Sequence, residues 1–200
     1  MSPRRRTPEA RAERLAGHAA ETDPAVVLAA ALRLLEARAR SVADLRARLV
    51  RSGYPTALVD AAAERLSDIG LLDDDAFARG WLEARDRGRP RGERVLRQEL
   101  RLRGVPGDVA AAALDERRAA AMPDATDEAG RSGAGSADEA AAIRLLGRRA
   151  AALARVPDPR MRRQRAYALL ARNGFDPDVA GRVAARLTDP GNEDAGGDPG

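Results

Sequence analysis

The chain has no cysteine, no lysine, one histidine and five aromatic residues among its 200 positions. Each scarcity removes a class of function. Without cysteine there is no disulfide framework, no thiolate metal site and no cysteine nucleophile. The lone His18 is too little for a histidine-clustered metal centre or a nucleophile–histidine–acid triad. Tyr54, Phe77, Trp81, Tyr167 and Phe175 are too sparse for the aromatic platforms on which RNA-recognition and OB-type domains stack bases. No run of 18 apolar residues occurs, so nothing is expected to span a membrane. Arg4-Arg5-Arg6 is not followed by the apolar stretch of a secretory signal. With no P-loop, dinucleotide-glycine motif or nucleophile–base pair either, the chain is expected to be a soluble, cytoplasmic, monomeric non-enzyme without metal or cofactor.

What the chain has in quantity is arginine. All 35 basic residues are Arg, against 31 acids, for a net charge of +4. Complete exchange of Lys for Arg alongside heavy use of Ala points to codon bias, so the total says little and the distribution says more. Arg79–Arg103 holds nine Arg against Glu83, Asp86, Glu93 and Glu99, and Ala142–Arg172 holds nine against Asp158 alone. Between Thr56 and Phe77 the sign reverses, with Arg65 facing six acids. Basic blocks separated by an acidic one suit a partner with its own charge pattern, such as DNA or a protein–DNA assembly.

Along the chain, residues 1–22 mix Pro, Arg, Glu and Ala and predict a disordered or weakly helical basic arm. Asp23-Pro24 is an N-cap followed by proline at the first helical position. Ser41-x-x-Asp44 is a variant capping box opening a second helix with Leu45 and Leu49, and Gly53 is the residue expected to close it in the left-handed conformation. A third helix carries Leu58, Val59, Ala62 and Leu66 and stops at Gly70.

This three-helix unit recurs. Leu45, Leu49 and Gly53 return as Leu96, Leu100 and Gly104, and again as Ala166, Leu170 and Gly174. In each copy apolar residues stand eight and four places before the glycine and five after it. Four additional residues in the second copy fall at Arg87-Gly88-Arg89-Pro90, predicted as a loop. The expected fold is all-α: a tandem array of three three-helix repeats, nine helices, elongated and curved, with disordered termini. Its segments are an arm over 1–22, repeats over 23–70 and 71–118, a flexible linker insertion over 119–137, a third repeat over 138–188 opened by a Ser136-x-x-Glu139 capping box, and an acidic tail over 189–200. Gly53, Gly104, Gly174, Leu45, Leu49, Leu96, Leu100 and Leu170 are structural positions in this scheme, with Phe77 and Trp81 as core between repeats.

Three motifs in order carry a resemblance to a known family. They are Arg40-Ser41-x-x-Asp44-Leu45-x-x-x-Leu49-x-x-x-Gly53-Tyr54; Gly70-Leu71-Leu72-Asp73-Asp74-x-x-Phe77-Ala78 with Trp81-Leu82-x-x-Arg85; and Arg91-Gly92-x-x-x-Leu96-x-x-Glu99-Leu100-x-x-x-Gly104-Val105. Together they resemble the signature of the RecX regulatory proteins over about residues 25–117, with a weaker match over 138–188. The resemblance implies tandem three-helix repeats and a non-enzymatic modulator that binds the RecA recombinase filament on single-stranded DNA. It further implies inhibition of recombinase, ATPase and co-protease activity in DNA repair and the SOS response. The alternative is a non-specific DNA-binding repeat protein acting without RecA.

The residues themselves nominate two candidate contact sets for a filament or for DNA directly. The first is Arg85, Arg87, Arg89, Arg91, Arg94, Arg97 and Arg101. Arg94, Arg97 and Arg101 share one helix face opposite Leu96 and Leu100, a pattern suited to phosphates or an acidic protein surface. The second is Arg160, Arg162, Arg163 and Arg165, cations at a helix start that the helix dipole disfavours. Asp73-Asp74-Asp75 is read as helix capping and not as a metal site, and His18 is given no role.

Overall fold

Several helices in this chain begin where a short polar side chain covers free N–H groups, and others end at a glycine in the left-handed region. The structure, a computed structural model, describes residues 7–120 and 137–186. These residues form eleven α-helices and no strand, so the fold is all-α. The elements are α1 (Pro8–Ala19), α2 (Pro24–Ala37), α3 (Val42–Arg51), α4 (Thr56–Asp68), α5 (Asp74–Gly88), α6 (Glu93–Leu102), α7 (Gly107–Ala119), α8 (Ala137–Gly147), α9 (Ala150–Ala154), α10 (Pro159–Arg172) and α11 (Pro177–Arg186). The predicted starts at Asp23, Ser41 and Asp73 are observed: Asp23 accepts from the Ala25 N–H, Ser41 Oγ from Asp44, and Asp73 from Asp75 and Ala76. Asp158, not among the predicted starts, likewise caps α10 by accepting from Arg160. Gly53, Gly104 and Gly174 have φ of +100°, +76° and +84°, the left-handed region expected of them.

Two helices exceed the predicted nine, and one loop is helical. Within the expected arm, Thr7 caps a helix, α1, with Pro8 at its first position; residues 1–6 lie outside the described residues. The single-turn α9 fills the long connection of the third copy after α8 ends at Gly147. Arg87 and Gly88 belong to α5, which the four additional residues lengthen by a turn, and the Arg89 N–H still donates to the Arg85 carbonyl. Most of the linker over 119–137, Ser136 of the second capping box, and the tail over 189–200 also lie outside the described residues. Glu139 of that box is buried and forms ion pairs with Arg186 and Arg182 of α11.

The chain divides into two units: the part up to Ala78 with Arg101–Val109, and Arg79–Leu100 with everything from Ala110 on. In the first, Val27, Leu45, Leu49, Val59 and Leu66 are closed off from solvent where α2, α3 and α4 meet. In the second, Leu146, Leu170, Phe175 and Val183 form the centre of α8, α10 and α11. Leu96 and Leu100 are fully buried as well. Leucines four apart on one face reach the core together because side chains at that spacing lie one above the other.

A joint recurs in both units at the carbonyl before the left-handed glycine. Such a carbonyl has no partner within its own helix. In the first unit Arg103 O accepts from the Ser41 Oγ–H, and the Val42 N–H at the start of α3 donates to Asp74 Oδ1 at 2.9 Å. In the second unit Asn173 O accepts from the Gly92 N–H at 3.0 Å, and the Glu93 N–H at the start of α6 donates to Asp138 Oδ2 at 2.9 Å. Ser41 and Gly92 are equivalent repeat positions, as are Arg103 and Asn173. Burial raises the Asp74 carboxyl above the usual carboxylate range, with Asp73 and Asp75 adding to it against the lowering hydrogen bond from Val42.

In the first copy the equivalent carbonyl, Ser52 O, meets a donor from α1. His18 Nδ1 lies 2.6 Å from Ser52 O, so Nδ1 must carry the proton, and the imidazole stacks on Tyr54 at 4.1 Å. His18 therefore has a structural role that sequence reading did not assign.

Asp44 gathers Arg40, Arg48 and Arg38 at 2.8, 3.1 and 3.6 Å. Burial would raise its carboxyl, but hydrogen bonds and charge from Arg40 and Arg48 outweigh that and hold it below the usual range. A carboxyl lowered on folding stabilises the fold above its unfolded pKa and loses that contribution as pH falls through the folded value. Asp44→Asn is therefore expected to lower stability to urea at pH 7, with the gap from the parent closing below about pH 4. A gap that persists unchanged to strongly acidic pH would contradict this reading.

Candidate nucleic-acid interface

Helix α6 is amphipathic in a strict sense: Leu96 and Leu100 are 0% exposed, while Arg94, Arg97 and Arg101 are exposed. Arg94, Arg97 and Arg101 share a face because positions three and seven apart return to the same side of a helix. The three guanidinium groups differ in surroundings. Arg97 pairs with Glu93 one turn back at 2.6 Å, and Arg94 Nη2 reaches Ala171 O at 3.5 Å. Beside Arg94 and Arg97 a hollow of about 400 Å³ is floored by Gly174 and Phe175 and edged by Glu93, Asp176 and Pro177.

The remaining candidates of the first set divide by burial. Arg85 is directed inward: its Nε donates to Glu99 Oε2 at 2.6 Å, and its guanidinium lies over the Trp81 ring at 4.3 Å. Trp81 Nε1 donates to the same carboxylate oxygen at 3.1 Å. Trp81 and Phe77 are half-buried, not fully enclosed core residues. Arg91 is half-buried and donates to Asn173 Oδ1, which makes it part of the joint. Arg87 and Arg89 are exposed, with Glu83 3.7 Å from Arg87.

In the second set Arg162 turns back to Val156 O through Nε at 3.1 Å and Nη2 at 3.0 Å, securing the turn into α10. Arg160, Arg163 and Arg165 are exposed. Sequence reading missed Arg148, which donates to the Arg87 carbonyl at 2.6 Å and to the Gly88 carbonyl, covering the end of α5. It also missed Arg117, buried between Asp86 and Asp138. A buried arginine has no local sequence mark when its acids lie 31 residues before it and 21 after it. Among the described residues no group of three metal-ligating side chains occurs, and no helix is long and apolar enough to cross a membrane.

The two copies built from α2–α4 and α5–α7 coincide with two known domain patterns. Residues 28–66 match "RecX, first three-helix domain" and residues 73–114 match "RecX, second three-helix domain". A regulatory protein RecX of Thermobifida fusca (strain YX) is 34% identical over 152 residues, covering 76% of this chain and 73% of that one. The chain belongs to the RecX family. Another RecX protein, from Mycolicibacterium vanbaalenii, is 45% identical over 83 residues, which is 42% of this chain. That match spans 45% of the relative's length, just under half. The crystal structure of RecX from Lactobacillus salivarius superposes with a TM-score of 0.66 at 16% identity, over 82% of this chain and 96% of that one. At such identity the likeness establishes a shared fold. A further RecX crystal structure gives a TM-score of 0.63 at 20% identity, over 81% and 71% of the two chains.

Proposed function

We propose that this RecX-family chain binds the RecA recombinase filament on single-stranded DNA and inhibits its recombinase, ATPase and co-protease activities without itself being an enzyme. Its place of action is the cytoplasm, where that filament forms. The observation that carries the reading is α6, with three exposed arginines sharing one face while its two leucines are fully buried. A cationic face on a rigid helix presents fixed charge to an acidic or phosphate-bearing surface without the cost of ordering a loop. Arg94, Arg97 and Arg101 are the contact residues in this reading, with Arg87 and Arg89 beside them on the neighbouring segment.

The test follows ATP hydrolysis by pre-formed RecA–single-stranded DNA filaments as the chain is added. Inhibition is expected to rise with concentration and saturate. Reversing charge in Arg94→Glu/Arg97→Glu/Arg101→Glu is expected to raise the concentration for half-inhibition at least about tenfold, since each lost charge contact is worth about 1 kcal/mol or more. Helicity by circular dichroism should be unchanged, because all three side chains are exposed. No inhibition by the parent chain would reject the reading, and an unaltered triple variant would move the contact away from α6.

A further inference from the structure

We infer that the outer face of α10 is a binding surface for single-stranded DNA, with Tyr167 as a base-stacking residue and Arg160 and Arg163 as phosphate contacts. The inference deepens the proposed function by naming residues that touch the strand.

Two independent observations meet on this helix. The first is excess positive charge: α10 carries five arginines and no acid of its own, with the N-cap Asp158 the one carboxylate at its start. Cations in the first turn oppose the helix dipole, and neighbouring like charges repel. Arg162 is accounted for by its hydrogen bonds to Val156 O. Arg160 in the first turn and Arg163 in the second are exposed, and as like charges three apart they repel each other along one side of the helix. Residues that a fold tolerates at its own expense are candidates for a binding role.

The second observation is an exposed aromatic. Of the five aromatic residues, Tyr54 and Phe175 are buried and Phe77 and Trp81 half-buried, while Tyr167 is 40% exposed. Arg160, Arg163, Gln164 and Tyr167 follow i, i+3, i+4, i+7 spacing and are all exposed, so they form one strip along α10, bordered on one side by the buried Ala166 and Leu170. Tyr167 stands seven residues before Gly174, as Arg97 stands seven before Gly104. The same outward register thus holds a cation in the second copy and an aromatic ring in the third. A ring flanked by guanidinium groups matches a nucleic-acid strand whose bases are free to leave one another: every base offers a π-face, and the arginines meet the backbone. Duplex DNA, with its bases stacked internally, offers the ring nothing.

The experiment is an anisotropy titration of a labelled oligothymidylate with the full chain, without recombinase, repeated over a series of salt concentrations. Arg160→Gln/Arg163→Gln is expected to flatten the plot of log K against log salt by about 1.4, because each single-strand phosphate contact contributes about 0.7. Tyr167→Ala is expected to weaken binding about tenfold with the slope unchanged, in the range found for loss of one stacked base. Tyr167→Trp should retain the parent affinity, which separates stacking from a folding defect. A duplex of equal length should show the arginine effect and not the tyrosine effect. Tyr167→Ala binding the oligomer as the parent does, or losing single-strand and duplex affinity equally, would overturn the inference. Because no recombinase is present, this titration can fail while filament inhibition through α6 survives, and the converse.

Discussion

Arg117→Ala is expected to lower the free energy of unfolding by about 3–5 kcal/mol, the cost of removing one member of a buried ion cluster. The Arg117 side chain is 7% exposed. Its Nε and Nη2 donate to the two Asp86 oxygens at 2.8 and 3.0 Å, and its Nη1 donates to Asp138 Oδ1 at 2.8 Å. It thereby ties α7 to α5 and to α8. Burial works against the charged guanidinium, but the hydrogen bonds and charges of Asp86 and Asp138 outweigh it and raise the pKa, so Arg117 stays ionised throughout the working pH range. Truncation leaves two half-shielded carboxylates without their shared guanidinium; Arg144, 3.3 Å from Asp86, and the Glu93 N–H on Asp138 compensate only part of the charge. Urea unfolding followed by circular dichroism measures the loss. Asp138→Asn in the same chain should add less than its cost alone, because the pair has one interaction to lose. A change below 1 kcal/mol for Arg117→Ala would mean that the cluster relaxes into water.

Gly92→Ala is the second large effect, at about 3 kcal/mol, toward the upper end of overpacking costs. A Cβ at Gly92 would lie 2.2 Å from Gly174 O and 2.3 Å from Phe175 N. Both obstacles are backbone, so no side chain can swing aside. The joint has to open, and with it go the hydrogen bonds from Gly92 to Asn173 O and from Glu93 to Asp138. Amide hydrogen exchange locates the damage: protection should fall at Gly92 and Glu93 and hold within α2 and α4. Gly80→Ala is the control, since nothing lies within 4 Å of its added Cβ. There the substitution is expected to stabilise α5 by about 0.5–1 kcal/mol. Equal effects at the two positions would contradict the packing described.

Much of this fold is legible in one dimension. Asp23-Pro24, Ser41 and the three left-handed glycines mark helix ends because capping is satisfied within four residues, and a four-residue period in leucine gives Leu45–Leu49 and Leu96–Leu100 as the inward faces. The exposed side of α6 follows from the same period. What the sequence conceals is contact between elements. The joint is made by a serine hydroxyl in one unit and a glycine N–H in the other, so no shared residue type betrays the common task. Asp74 and Asp138 each cap a helix start in another element, 32 and 45 residues away, and local sequence holds no trace of that. Arginine is hardest to sort: Arg85, Arg91, Arg117 and Arg162 turn inward while Arg94, Arg101 and Arg163 stay exposed, and the residue type is the same. The scarcity of aromatics leaves Tyr167 as the one aromatic ring classed as exposed.

The most direct measurement places labelled chain with RecA–single-stranded DNA filaments and, separately, with the same DNA bare, at one salt concentration. The account predicts saturable binding to the filament that is tighter than binding to the bare strand. Equal or tighter binding to bare DNA would show a nucleic-acid-binding protein for which the recombinase is incidental.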